Sequence, residues 1–262
     1  MRTFGLICIG LLVSLNTHAA VHTQEVDYEA NGTQLKGFLA YDEANKTKRP
    51  AVLVVHEWWG HNDYARQRAR MLAELGYIAL AVDMYGDGKQ AEHPEDAQKI
   101  SSEIANNMAI GTQRFKAAMA LIQNHRLTRD DDIAAIGYCF GGAVVLQMAR
   151  EGLPLDAVVS FHGSLATKQA AQADKVKAKV MVAHGGADPF IPAEQVTGFI
   201  DEMNKAGADY QLNIYGGALH SFTNPAADAL GKRFELPLRY HKKADEDSWR
   251  DMQHFLSGAF KE

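Results

Sequence analysis

The chain has 262 residues, of which 47% are hydrophobic and 23% are charged, as in an ordinary globular protein. Its formal net charge of −5 gives no basic surplus for binding nucleic acid or an anionic membrane surface. We therefore expect neither kind of partner, and we expect a single domain over residues 21–262.

Residues 1–20 differ in character from the rest of the chain. One early cation, Arg2, precedes the apolar run 4–15, and the segment ends in the small residues of "NTHAA". This order is typical of a secretory signal peptide, so we expect cleavage after Ala19 or Ala20 and export to the periplasm. A membrane anchor is the alternative, but the apolar run is shorter than the roughly 20 residues that span a bilayer.

Two cysteines occur in the sequence, and Cys8 lies within the expected signal peptide. Cys139 is then the only thiol of the mature chain, which excludes an intrachain disulfide. An unpaired thiol in an oxidising compartment is a liability unless it is buried or used. Cys139 is therefore a candidate functional residue.

Short continuous apolar runs recur along the chain after an initial hairpin pattern. Segments 23–28 and 35–41 alternate around "ANGT", as antiparallel hairpins do. Buried-strand patterns follow at 51–55, 77–82, 133–138, 157–161, 180–184 and 210–215. Helical spacing occurs at 63–75, 111–123, 143–150, 193–206 and 245–259. This alternation predicts a three-layer α/β sandwich with a mostly parallel central sheet and an antiparallel N-terminal hairpin.

Glycines flank Cys139 in the segment "GYCFGG", between a predicted strand and a predicted helix. A nucleophile elbow needs small residues two positions before and two after the nucleophile, and Gly137 and Gly141 occupy those positions. Such a turn strains the nucleophile's backbone and turns its side chain toward substrate, while the helix start favours a thiolate. A small buried cysteine without a reaction is the alternative.

Two later strand ends carry the partners that a nucleophilic cysteine needs. Asp188 follows one strand pattern in "GGADPF", and His220 follows the next in "GGALHSF". Alone, the first is typical of a turn and the second of a surface loop. In the order nucleophile, acid, histidine they predict a Cys-His-Asp triad, with His162 and His184 as the competing bases.

The loop after the first buried strand reads "HEWWGHND". An oxyanion hole requires two backbone N–H groups, and we expect them from Phe140 and from Trp58 in this loop. The loop also resembles the zinc motif H-E-x-x-H, but His61 follows His56 by five residues, so the two would not share a helix face. We expect no metal and no cofactor.

These segments, with "AHGGADPFIP", "GGALHSFTNP" and "ADEDSWRDMQHF", resemble the dienelactone hydrolase family of α/β-hydrolases over essentially the whole mature chain. The resemblance implies an α/β-hydrolase fold and a triad of Cys139, Asp188 and His220. It also implies that Glu57 interacts with the resting thiol and moves when substrate binds. A carboxylate there would keep the thiol neutral and limit its oxidation, whereas an ordinary salt-bridged acid is the alternative for Glu57.

The sequence departs from the family in the residues expected to bind substrate. Members that act on dienelactones hold the substrate carboxylate with arginines in two stretches that read "VDMYGDGKQ" and "HSFTNP" here, without arginine. A neutral ester or lactone is therefore the expected small-molecule substrate. Candidates for the substrate pocket, each equally compatible with core packing, are Trp59, Tyr85, Phe190, Ser221 and Phe222.

The sequence thus predicts hydrolysis of a carboxylic ester or lactone through a thioester acyl-enzyme on Cys139. The alternative is a binding protein or a thiol redox sensor on the same fold. The acid and the histidine argue against that alternative, because sensing requires neither of them. No oligomeric state follows from the sequence.

Overall fold

A central β-sheet organises residues 21–260, the part of the chain that the computed structural model describes. The strands are β1 Val21–Ala30, β2 Thr33–Asp42, β3 Arg49–Val55, β4 Ile78–Val82, β5 Thr128–Tyr138, β6 Ala157–Phe161, β7 Lys179–Gly185 and β8 Tyr210–Tyr215. The helices are α1 Asp63–Glu74, α2 Pro94–Asn106, α3 Met108–Gln123, α4 Phe140–Arg150, α5 Ala193–Ala206, α6 Ala227–Phe234 and α7 Lys242–Ser257. The expected signal peptide lies outside the described residues, so its cleavage and the export stay predictions.

The strands form one sheet in the order β1-β2-β4-β3-β5-β6-β7-β8. β1 and β2 form an antiparallel hairpin, and β2 also pairs antiparallel with β4. The other neighbouring strands in this order, which are β4, β3, β5, β6, β7 and β8, pair in parallel. The predicted architecture is therefore confirmed, and the carboxyl ends of β3, β5, β7 and β8 meet at one edge of the sheet, where such folds bind ligands.

Helices cover both faces of the sheet and make the three layers. One core lies between the sheet and α3, α4 and α5, and it buries Phe115, Val145 and Phe199. The other lies between the sheet and α1 and α7, and it buries Leu72 and Met252. Because both faces are covered there, β3, β4, β6 and β7 are buried over almost their whole length, which explains their continuous apolar runs. The edge strand β8 is different, because its residues are only partly buried or exposed, so the buried strand expected at 210–215 is a strand but not a buried one. Within residues 21–260 no helix combines the length and the apolar character needed to cross a bilayer.

Two helices are present that the sequence pattern does not predict. α2 is largely polar, with a narrow buried stripe of Ala97, Ser101 and Ile104. α6 has eight residues, too few to give a clear periodic signal. Both contribute to a small third cluster beside the loop that follows β3, formed by the buried residues Trp59, Ala91, Ala97, Ala227 and Leu238.

Candidate active site

Cys139 lies on a sharp turn between β5 and α4. Its backbone has φ 53° and ψ −115°, a conformation that a non-glycine residue adopts at a cost of about 1–3 kcal/mol. A Cβ atom on Gly137 would lie 2.1 Å from the carbonyl oxygen of Gly141, and one on Gly141 would lie 2.3 Å from that of Val55. The two glycines are therefore required by backbone contact, and the turn has the geometry of a nucleophile elbow.

His220 and Asp188 lie beside this turn at the ends of neighbouring strands. Nδ1 of His220 is 2.7 Å from Oδ2 of Asp188, and the His220 side chain also hydrogen bonds to the side chain of Cys139. The other carboxylate oxygen of Asp188 accepts a hydrogen bond of 2.9 Å from the backbone N–H of Phe190. Asp188 is thus held at both oxygens, and its contact with Nδ1 leaves Nε2 of His220 for the thiol.

The electrostatic setting of His220 favours its charged form. Burial alone would lower the pKa of His220, but the negative charge that Cys139 can carry and the hydrogen bond to Asp188 raise it to about 10. Since an opposite charge at contact distance favours ionisation, His220 can hold a proton beside a thiolate. This arrangement can both activate a nucleophile and protonate a leaving group.

The backbone N–H groups of Phe140 and Trp58 border the same space. Phe140 opens α4, and Trp58 lies in the loop after β3. Among the described residues, neither N–H donates to a backbone or side-chain acceptor. Both side chains, with Cys139, line one cavity.

The cavity at Cys139 has a volume of about 440 Å³ and mostly apolar walls. Its titratable lining residues are Cys139 and His220, and no arginine or lysine lines it within the described part of the chain. The remaining lining residues are Trp58, Gln98, Ser101, Phe140, Ala143, Ser164, Phe190, Ile191, Leu236 and Leu238. A neutral, partly apolar group fits such walls better than an anion does.

Comparison with known proteins assigns the chain to a family. The model of the dienelactone hydrolase family matches residues 35–260. The chain belongs to the dienelactone hydrolase family. It is therefore a hydrolase of the dienelactone hydrolase type, with the α/β-hydrolase fold.

Individual relatives of known sequence or structure span most of the chain. Protein usf of Aquifex pyrophilus is 30% identical, over 77% of this chain and 87% of that protein. Carboxymethylenebutenolidase of Pseudomonas putida is 27% identical, over 70% of this chain and 78% of that enzyme. A dienelactone hydrolase-like promiscuous phosphotriesterase from metagenomic libraries superimposes with a TM-score of 0.87 at 36% identity, covering 92% of this chain and 99% of that one.

Glu57, which the family resemblance links to the resting thiol, is buried and bound elsewhere in this conformation. Oε1 of Glu57 accepts a hydrogen bond of 2.8 Å from Ser221, and Oε2 accepts one of 2.6 Å from Asn224. Burial raises the pKa of Glu57, and the two hydrogen bonds and the charge of His220 oppose that effect. Glu57 thus lies close enough to His220 to feel its charge, while its oxygens contact the loop that follows His220.

The structure places only one of the five expected pocket residues on the cavity wall. Phe190 lines the cavity, with its ring edge-on to His220 at a centroid distance of 5.1 Å. Tyr85 lies behind the wall, where its hydroxyl donates to the carbonyl of Trp58 at 3.0 Å. Trp59 packs in the third cluster, Phe222 is fully buried in the core, and Ser221 faces Glu57.

Several wall residues come from segments that the sequence pattern left unassigned. Gln98 and Ser101 project from α2, and Leu236 and Leu238 follow α6. Leu238 forms an isolated parallel bridge with His220, which ties this segment to the His220 loop. A short helix and an irregular loop give no periodic pattern, so only the tertiary structure brings these residues to the site.

Proposed function

We propose that the chain hydrolyses neutral carboxylic esters or lactones through a thioester acyl-enzyme on Cys139. The observation that carries this proposal is the pair of contacts made by His220, which is bound to Asp188 at 2.7 Å and to the Cys139 side chain on its other side. Membership of the dienelactone hydrolase family supports the same chemistry. No metal or cofactor enters the proposed reaction.

Acylation begins with attack of the Cys139 thiolate on the carbonyl carbon of the substrate. A C–S bond forms, and the carbonyl oxygen becomes an oxyanion that accepts hydrogen bonds from the N–H groups of Phe140 and Trp58. The C–O bond to the leaving group then breaks as His220 gives its proton to the departing alkoxide. The product of this step is a thioester and a free alcohol, or for a lactone a tethered hydroxyl group.

Deacylation uses the same groups, but His220 now accepts a proton where in acylation it gave one. His220, now neutral and oriented by Asp188, removes a proton from water as the water attacks the thioester carbonyl. The C–S bond breaks, the acid leaves, and the imidazolium again faces a thiolate. Asp188 keeps Nδ1 protonated throughout, so that Nε2 remains the site of proton exchange.

The cavity supports a neutral substrate in place of an anionic dienelactone. Its walls carry no lysine or arginine within the described residues, and Trp58, Phe190 and Leu238 supply apolar surface. An anionic group would lose its hydration without gaining a cation, which is unfavourable. We therefore assign specificity to neutral acyl or lactone groups.

Glu57 is the proposed modulator of the thiol. In the conformation described here its carboxylate is bound to Ser221 and Asn224, next to the catalytic histidine. Rotation toward Cys139 would bring a negative charge beside the sulfur and disfavour its thiolate form. This movement would protect the resting enzyme from oxidation, with Ser221 and Asn224 holding Glu57 in the active state.

The proposal is tested by steady-state kinetics on aryl acetates with wild type and Cys139→Ala, before and after iodoacetamide treatment. We expect wild type to turn over the ester, and both Cys139→Ala and the alkylated enzyme to be inactive. Full activity in Cys139→Ala would overturn the assignment of the nucleophile.

The alternative of a redox-sensing or binding protein makes the opposite prediction in the same assay. Such a protein would react with iodoacetamide at Cys139 and yet hydrolyse no member of a panel of neutral esters and lactones. The bonds among Cys139, His220 and Asp188 do not favour this alternative, because thiol sensing gains nothing from an oriented general base.

A further inference from the structure

A buried histidine outside the proposed triad contacts the backbone of the nucleophile. His162 follows β6 and is 1% exposed. Its Nδ1 lies 3.2 Å from the backbone nitrogen of Cys139, which also donates to the carbonyl of Phe161 at 3.0 Å. His162 has φ 41°, so its backbone is strained in the same sense as that of Cys139.

The other side of the His162 ring contacts the loop that carries the catalytic base. Nε2 of His162 lies 2.7 Å from Oγ1 of Thr223, three residues after His220. The rings of His162 and His220 meet edge to face at an interplanar angle of 64°, with their centroids 5.3 Å apart. One imidazole therefore bridges the nucleophile turn and the histidine loop.

The directions of these hydrogen bonds define the tautomer of His162. Because the Cys139 N–H can only donate, Nδ1 of His162 must accept and carry no proton. Nε2 then carries the proton and donates it to Oγ1 of Thr223. That hydroxyl lies 2.6 Å from the hydroxyl of Tyr64, which accepts a hydrogen bond of 3.3 Å from Nε of Arg68.

We propose that His162 is a positioning residue, which as a neutral Nε2–H imidazole fixes the Cys139 turn relative to the His220 loop. This inference rests on the proposed function, because it holds that a residue outside the triad sets the distance between the Cys139 thiolate and the His220 imidazolium. A displacement of about 1 Å at a reacting group can reduce a rate about 100-fold, so such a bridge has a measurable effect.

The surroundings of His162 keep its ring neutral. Burial lowers the pKa of His162 well below its ordinary value, and the positive charges of His220 and Arg68 act in the same direction. The titratable groups around the ring are His220 and Tyr138, whose rings contact it, and Arg68, whose charge acts on it, while Cys139 contacts it through its backbone N–H and Tyr64 contacts the Thr223 hydroxyl at its other end. A protonated His162 would also place an N–H against the Cys139 N–H, so the bridge requires the neutral form.

The test compares His162→Phe, which keeps a ring and loses both hydrogen bonds, with His162→Gln, which keeps one acceptor and one donor. His61→Phe is the matched control, because His61 is equally buried and its Nε2 is 3.1 Å from the carbonyl of Ala81. Thr223→Val and Thr223→Ser form a second pair, which removes or keeps the hydroxyl at the other end of the bridge. For each variant we would measure kcat and KM on an aryl acetate, the thermal midpoint, and the pH profile of Cys139 alkylation.

We expect His162→Phe and Thr223→Val to lower kcat about 10- to 100-fold with little change in KM, and to displace the pH profile of alkylation. His162→Gln and Thr223→Ser should recover most of kcat, and His61→Phe should change the thermal midpoint only. An unmoved pH profile and kcat in folded His162→Phe and Thr223→Val would overturn the positioning role. Hydrolysis by Cys139→Ala would instead overturn the proposed function, so the two failures are distinguishable.

Discussion

Ser221 donates a hydrogen bond of 2.8 Å to Glu57, and this contact joins the loop after β3 to the loop that carries His220. Ser221 directly follows His220 and has φ 55°, so the bond holds a strained residue beside His220. Asn224 occupies the other oxygen of Glu57 at 2.6 Å. The position of Glu57 is therefore coupled to the histidine loop.

Replacing Glu57 with glutamine tests whether its carboxylate restrains the thiol. The variant keeps an oxygen acceptor for Ser221 but removes the negative charge, so the thiolate of Cys139 becomes easier to form. We expect hydrogen peroxide to inactivate Glu57→Gln faster than wild type at neutral pH, because the thiolate is the form that is oxidised. Equal or slower inactivation of a variant with an unchanged thermal midpoint would contradict the restraining role.

The pKa of His220 should depend on the presence of the Cys139 thiol. The pKa of His220 is raised to about 10, with the charge of Cys139 as the largest favourable contribution. In an NMR titration we expect the His220 ring to remain protonated through neutral pH in wild type, and to titrate at markedly lower pH in Cys139→Ala. Equal titration in the two proteins would exclude the thiolate-imidazolium pair.

The raised pKa of His220 also makes the free energy of unfolding depend on pH. A histidine whose folded pKa exceeds its ordinary value of 6.5 stabilises the fold fully below pH 6.5, and this contribution is lost as the pH rises through about 10. The free energy of unfolding of wild type should therefore fall from mildly acidic to alkaline pH more steeply than that of Cys139→Ala. Chemical denaturation at several pH values measures the difference, and parallel curves would contradict it.

Asp188→Asn tests the orientation of the base. An asparagine has one acceptor oxygen where the carboxylate has two, and it has no charge to stabilise the imidazolium. We expect kcat/KM on a neutral aryl ester to fall about 100- to 10,000-fold. Asp251→Asn is the control, because Asp251 accepts a hydrogen bond of 2.7 Å from Tyr215 away from the cavity and should leave kcat/KM unchanged. Comparable losses in the two variants would show a structural effect in place of a catalytic one.

The sequence predicts the sheet and the candidate triad because each depends on local chemistry. Continuous apolar runs mark buried strands, and glycines at fixed spacing mark the turn at Cys139. The order of Asp188 and His220 after that turn then suffices to predict that they lie near Cys139. The reason is that the carboxyl ends of parallel strands meet at one edge of the sheet. These features require no knowledge of how distant side chains pack.

The pocket is less predictable because aromatic residues serve cores and binding sites equally well. Phe222 and Phe190 have the same side chain in adjacent motif loops, yet one is fully buried and the other is 46% exposed at the cavity. Leu238 reaches the wall through a bridge with His220 that links an irregular segment to the site. Neither periodicity nor motif spacing carries such information.

Phe190→Ala tests the contribution of the apolar wall to substrate binding. Burying a phenylalanine side chain against an apolar ligand is worth about 1.5–3 kcal/mol, and the partial exposure of Phe190 places its effect at the lower end. We expect KM for a neutral aryl butyrate to rise about tenfold, with a smaller change in kcat. Ile214→Ala is the control, because Ile214 is 58% exposed on β8 and lies outside the cavity. An unchanged KM in Phe190→Ala would remove Phe190 from the binding surface.

Trapping the acyl-enzyme tests the proposed thioester on Cys139 directly. Wild type would be mixed with excess neutral aryl ester, quenched in acid within the time of a turnover, and examined by mass spectrometry of the intact protein and its peptides. We predict a mass increase equal to one acyl group, located on Cys139, labile to hydroxylamine and absent from Cys139→Ala. An acyl group on another residue, or turnover in Cys139→Ala, would contradict it.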